Sequence, residues 1–210
     1  LLAQAGLPEV WRPRIRNRFG HDAALSRLLT RLSAPTANGA MPESRAAVLE
    51  RVTADMLAAG LSLTTGRTPE EIADRYLEQQ ALDAARVPRA ALTLLADYLA
   101  IAGEAQGALH AVEVLADRAG IDLGAPLKAL HTHLGTLRLL APRATIAFVA
   151  SFSPRLDYYT GIVFEMRQRG GDVLASGGQY DRLLERLGAP SRIAASGCAV
   201  WVDRIAETTR

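Results

Sequence analysis

The chain has 210 residues, 49% of them apolar, and a formal net charge of +2. That is enough to bury a core in one sizeable domain or two small ones, and too near neutral to argue for nucleic acid, even with a pI near 9.0. One cysteine, Cys198, excludes an internal disulfide and fits a reducing compartment, and no apolar run approaches the roughly 18 residues of a membrane span.

Leu1 to Gly6 reads as a helix already under way and ending at glycine. With no initiator Met and no signal peptide, the expectation is a piece of a longer chain. Lys128 is the single lysine among 24 basic residues, a bias that points to genomic composition. Arg12 and Arg16 are four apart, as are Arg14 and Arg18, so a helix there shows two basic stripes. Such stripes either meet an acidic partner or form a solvated face. His21-Asp22 opens a helix to about Leu32, with Leu25, Leu28, Leu29 and Leu32 on one side. Residues 34–42 carry proline, asparagine and glycine and read as a loop.

A helix follows from about Glu43 to Ala59, with Leu49, Val52 and Met56 inward and Gly60 as terminator. Thr68-Pro69-Glu70-Glu71 supplies an N-cap, a proline at N1 and a carboxylate at N3 for a helix to about Arg86. Pro88 opens the next helix, whose Leu92, Leu94, Leu95, Leu99 and Ile101 are apolar nearly all round and predict burial. Helices near 104–119 and 125–140 carry Leu109, Val112 and Leu115, then Leu127, Leu130, Leu134 and Leu137. His131 and His133 point to different sides of a helix and make poor joint metal ligands. No metal-ligand spacing, Ser-His-Asp pattern or phosphate loop is present, so neither metal nor cofactor is expected.

Pro142 closes the helical half, and Thr145 to Val149 is a short apolar strand. The predicted class is α+β: a helical region over 1–141 and an antiparallel α+β region over 142–210. In the latter, Ile162, Phe164 and Met166 fall on one face of an extended segment, and Val163, Glu165 and Arg167 on the other. Gly170-Gly171 suits a hairpin turn, with Val173 to Ser176 as the return strand. Gly177-Gly178 then marks a bend or a place where a ligand meets the backbone. Gln179-Tyr180-Asp181 opens a short helix, Asp181 in its first turn and Gly188 as its stop. Cys198, in an apolar strand, is expected to be a buried thiol.

Leu156-Asp157-Tyr158-Tyr159-Thr160-Gly161, followed by Phe164-Glu165, resembles the histidine-specific motif of histidyl-tRNA synthetases. Gly177-Gly178-Gln179-Tyr180-Asp181 resembles their second such motif, usually Gly-Gly-Arg-Tyr-Asp. Gly197 to Arg204 is similar to motif 3 of class II synthetases, a glycine-bearing strand feeding a helix with an arginine. Order and spacing match over roughly a quarter of the chain. The pattern is shared by the synthetases and by a paralogous family, the regulatory subunits of ATP phosphoribosyltransferase.

The departures favour the paralogues. Pro154 stands where synthetases place an arginine that contacts the histidine carboxylate and the activated phosphate. Arg155 is one place late, and a one-residue slip turns a side chain to the other face. Gln179 replaces the second motif's arginine, and adenylate formation needs fixed cations. The chain also stops six residues after Arg204, where synthetases continue into an anticodon-binding domain. The resemblance thus implies part of a class II synthetase-like antiparallel sheet with a large helical insertion, motifs 1 and 2 lying upstream. It implies no catalytic residue, partnership with the short catalytic subunit of the phosphoribosyltransferase, self-association and histidine feedback in the cytoplasm. A residual histidine-like pocket would use Tyr158, Tyr159, Gly161, Glu165, Gly177, Gly178 and Tyr180, with Arg204 as a vestigial phosphate contact. The alternatives are a true histidyl-tRNA synthetase fragment and a helical interaction module without ligand.

Overall fold

Proline and a buried tryptophan set the first turns. Pro8 leads a 3-10 turn over Glu9–Trp11, and helix α1 (Arg12–Arg16) follows directly. Trp11 is buried and donates its indole N–H to Ala85 O at 3.1 Å. Helix α1 stops at Arg16, so the two arginine stripes expected over 12–18 do not form on one helix. Arg12 Nε donates to Leu7 O at 3.1 Å, and Arg14 reaches Val10 O at 3.0 Å and Glu78 Oε1 at 2.5 Å.

This computed structural model describes residues 1–33, 43–153, 158–168 and 171–208, in two units. One comprises Leu1–Arg16 and Ala23–Ala150, the other Asn17–Asp22 and Ser151–Arg210.

In the first unit, α2 (Asp22–Ser33) buries Leu25 and Leu28. Helix α3 (Arg45–Ala58) begins after Ser44, whose hydroxyl accepts from Ala47 N at 3.2 Å, and Gly60 follows it at φ 68°. Thr68 and Glu71 close a full capping box on α4 (Pro69–Ala84), as the sequence predicts: each side chain accepts from the other's backbone N–H, at 3.3 and 3.2 Å. Val48 of α3 and Ala73 of α4 are fully buried, and Arg45 grips Asp74 with two bonds of 2.7 and 3.0 Å. Helix α5 (Arg89–Leu99) buries Ala91, Leu92 and Leu95, while Leu94, Leu99 and Ile101 stay half-buried. It is therefore one-sided rather than buried all round.

Strand β1 (Ala102–Glu104), too short for its pattern to be read, leads into α6 (Ala105–Ala119). This helix is the spine of the unit, burying Ala105, Ala108, Leu109, Val112, Leu115 and Ala116. The Glu104 carboxylate caps it by accepting from Gln106 N and Gly107 N at 3.0 and 3.1 Å. Helix α7 (Gly124–Leu140) buries none of its residues, its leucines included. Its described polar ties to α6 and its cap are His131 to Glu113 at 2.8 Å, and Arg138 to Gln106 and Glu104 at 2.7 and 3.0 Å. Strand β2 (Ala147–Val149) pairs antiparallel with β1, and Ala150 N donates to Ile101 O at 2.9 Å. Strand β2, which follows the last long helix, completes the first unit, whose last residue is Ala150.

The second unit is built on an antiparallel sheet of β3 (Val163–Arg167), β4 (Val173–Gln179) and β5 (Ser196–Val200), with β4 central. Gly171, at φ 104°, serves the β3–β4 turn, in which Gln168 and Asp172 pair; Gly170 lies outside the described residues. Helix α8 (Leu183–Arg186) joins β4 towards β5, with Gly188 beyond its end at φ 104°, and α9 (Val202–Thr208) follows β5. Three local expectations change. Gly177 and Gly178 lie within β4, not at a strand end, because β4 runs to Gln179. Asp181 precedes α8 and does not belong to its first turn. Cys198 is exposed, since it sits on an outer strand. Among the described residues no helix is long and apolar enough to cross a membrane.

Candidate functional site

Alternation along β4 sorts the two glycines. Val163, Gly178 and Gly197 are directly opposite across the sheet, so they share one face, and Glu165, Ser176 and Ala199 lie two residues along on the same face. Phe164, Gly177 and Cys198 occupy the other face. Gly177 and Gly178 therefore cannot line one pocket together. Gly177 instead allows close approach of β5, because a Cβ there would come within 2.7 Å of Cys198 Cα.

Three tyrosines gather over the Gly178 face. The Tyr158 and Tyr159 rings are 4.7 Å apart at 47°, and Tyr180 meets Tyr158 edge-on at 5.6 Å and Tyr159 at 6.3 Å. An extended chain would send Tyr158 and Tyr159 to opposite sides. Here they belong to a turn that brings both rings together. Gly178 makes this possible: a Cβ on it would stand 2.9 Å from the Tyr159 ring and 2.7 Å from Ile162 O. Gly197, opposite, leaves room for the Tyr180 hydroxyl. Gly161 lies against the Gln179 side chain. Burial, then the hydrogen bond with Tyr158, pushes the Tyr159 phenol above its ordinary pKa.

Asp181, buried at 6% exposure, ties this corner together. Its carboxylate accepts from Arg192 Nη2 at 2.9 Å, Gln179 Nε2 at 2.8 Å and Ala195 N at 3.2 Å, while Asp181 N donates to Thr160 Oγ1 at 3.0 Å. Thr160 N in turn donates to Gln179 O at 2.9 Å. The turn carrying the tyrosines, the end of β4 and the loop entering β5 thus meet at one carboxylate. The Arg192 guanidinium, helped by Ala195 N–H and the Gln179 amide, holds that carboxyl below the usual range. Sequence reasoning missed this lock, because Arg192 lies eleven positions beyond Asp181, across α8 and the loop after it, where no spacing rule pairs the two.

Glu165 shares the tyrosine face but is paired with Arg167 Nη2 at 2.5 Å, the same-face neighbour on its own strand. Arg204 straps α9 onto β4, donating to Val173 O at 2.7 Å with its guanidinium 5.1 Å from the Trp201 ring centre. The resemblance placed a phosphate contact at this residue. Pro154, Arg155, Leu156 and Asp157 lie outside the described residues. Among the described residues no group of three His, Cys, Asp or Glu side chains could hold a metal ion. The arrangement offers a cluster of mutually tilted aromatic rings with phenolic hydroxyls and one engaged carboxylate, a surface with apolar faces and polar tips.

The family sequence model described as Histidyl-tRNA synthetase matches residues 69–205. A protein of Mesorhizobium japonicum named ATP phosphoribosyltransferase regulatory subunit is 39% identical over 216 residues, covering 98% of this chain and 58% of its own length. Proteins of Brucella canis and Brucella ovis with the same name are 36% identical over 218 residues, with the same coverage. The chain thus spans little more than half the length of these curated relatives. The family match runs from the first residue of α4 through the tyrosine corner into α9, and the chain belongs to the histidyl-tRNA synthetase family.

Proposed function

We propose that this chain is part of a regulatory subunit of ATP phosphoribosyltransferase, a synthetase-like protein without catalysis of its own that serves the first step of histidine biosynthesis. The observation that carries the reading is identity of 36–39% along 98% of the chain with proteins of that name. The site supports it. Pro154 and Gln179 stand where the synthetase motifs carry arginine, and the Gln179 amide is engaged by Asp181. Adenylate chemistry needs cations fixed over the developing charge.

On this reading the partner is the short catalytic subunit, the subunit self-associates, and the assembly works in the cytoplasm under histidine feedback. Residues 1–141 are the insertion-like region and 142–210 the synthetase-like part, with motifs 1 and 2 upstream. Histidine is the natural ligand of the tyrosine corner, bounded by Tyr158, Tyr159, Gly161, Glu165, Gly178 and Tyr180.

The test mixes the full-length protein with the short catalytic subunit. Co-elution and raised phosphoribosyltransferase activity are expected, without histidine-dependent exchange of pyrophosphate into ATP. Exchange at synthetase-like rates with no co-elution makes the protein a histidyl-tRNA synthetase instead.

A further inference from the structure

A cleft of about 310 Å³ opens in the first unit, between the ends of α2 and α4 and the start of α5. Its apolar floor is Trp11, Leu82 and Leu92, buried at 5%, 7% and 8% exposure. The one polar atom of the Trp11 ring already donates to Ala85 O, so the floor presents no unmet donor. The rim carries three arginines, Arg31, Arg86 and Arg89, against one carboxylate, Asp83.

That carboxylate is engaged twice over, 3.7 Å from Arg31 Nη2 and accepting from Gln79 Nε2 at 2.9 Å. Arg86 and Arg89 are exposed and have no carboxylate partner among the described residues. Two guanidiniums without a carboxylate partner, beside an apolar floor, form an amphipathic recess. Guanidinium presents paired donors to an oxyanion, and the low-dielectric floor strengthens that attraction. The size matches a small ligand, since such sites start at about 300 Å³.

We propose that this cleft binds a small organic anion, a phosphate or carboxylate head on a planar apolar body, with Arg86 and Arg89 on the head and Trp11, Leu82 and Leu92 under the body. It stands independently of the regulatory reading, because no residue of the tyrosine corner takes part.

Calorimetry on the full-length protein at low salt tests it, with phenyl phosphate, benzoate, inorganic phosphate and phenol as probes. Phenyl phosphate or benzoate should bind saturably. Each part alone, phosphate or phenol, should bind about tenfold or more weaker, since head and body contribute separately. The double variant Arg86→Ala, Arg89→Ala should lose at least about tenfold in affinity for the aryl anion. Arg16→Ala, an exposed arginine outside the cleft, should bind as the wild type does. The proposal is overturned by no saturable heat with either aryl anion, or by binding indifferent to the double variant. Inorganic phosphate binding as tightly as phenyl phosphate also overturns it, because the floor then contributes nothing.

Discussion

The Tyr180 hydroxyl occupies the space that a Cβ at Gly197 would need. Tyr180 directly follows β4, and Gly197 on the neighbouring β5 lies opposite Gly178, which seats Tyr159 in the same way. Both glycines are therefore packing partners of tyrosine. Gly197→Ala should destabilise the protein by about 1–3 kcal/mol, the usual cost of overpacking. Tyr180→Phe in the same background should recover part of that loss, because the hydroxyl is the clashing group. A double-mutant cycle by urea denaturation checks the coupling. Additive effects would mean that the strand, not Tyr180, requires the glycine.

Asp181 gives the second prediction. Its folded carboxyl is held low, first by Arg192. A depressed carboxylate stabilises the fold above its unfolded value, about pH 3.9, and that contribution fades as pH falls through the lower folded value. Asp181→Asn keeps an acceptor for Ala195 N–H but removes the charge facing Arg192. The variant should be less stable at neutral pH, and the difference from wild type should shrink as acid is added. Urea midpoints followed from neutral pH to about pH 2 read this out. A difference constant with pH would show that the ion pair contributes nothing.

Legibility followed local chemistry. The Thr68 capping box was readable because both partners lie within four residues. Gly60 and Gly188 were readable as helix stops because backbone conformation is a property of the residue itself. The order of strands β3 to β5 and the strand-to-helix step at Val200–Val202 came with the motifs. What failed depended on neighbours that periodicity does not reveal. The leucines of α7 have helical spacing but no described element that buries them. Cys198 has apolar neighbours in sequence but sits on an outer strand. Tyr158 and Tyr159 are sequence neighbours that an extended chain would send apart, and the turn at Tyr158 brings their rings within 4.7 Å. The Asp181–Arg192 bond needed the whole loop to be placed.

Helix α7 should be the first part of its unit to open. It buries no residue, and Glu113, held low first by His131 and then by His110, is one of its ties to α6. Glu113→Ala removes the acceptor of both histidines. Hydrogen exchange should quicken along 124–140 while the α6 amides around Leu109 and Val112 keep their protection, since those residues are buried in the spine. Equal quickening in both helices would mean that α7 is integral to the core of the unit.

The last prediction concerns histidine at the tyrosine corner. Gly178→Val places side-chain atoms where the Tyr159 ring and Ile162 O stand, at 2.9 and 2.7 Å from the Cβ alone, so the ring must leave the face. Glu165→Ala removes a carboxylate from that face and frees Arg167. If the corner binds histidine, Gly178→Val should abolish binding by the full-length protein. Glu165→Ala should weaken it, by up to about thirtyfold if Glu165 makes a charge-assisted contact worth about 2 kcal/mol. Because Glu165 must first release Arg167, the measured loss should fall below that bound. Calorimetry on the three proteins decides, with melting curves to show that Gly178→Val remains folded. Equal affinity in all three would place the histidine site away from this corner and leave the tyrosines, with Gly178 and Gly197 beneath them, as packing alone.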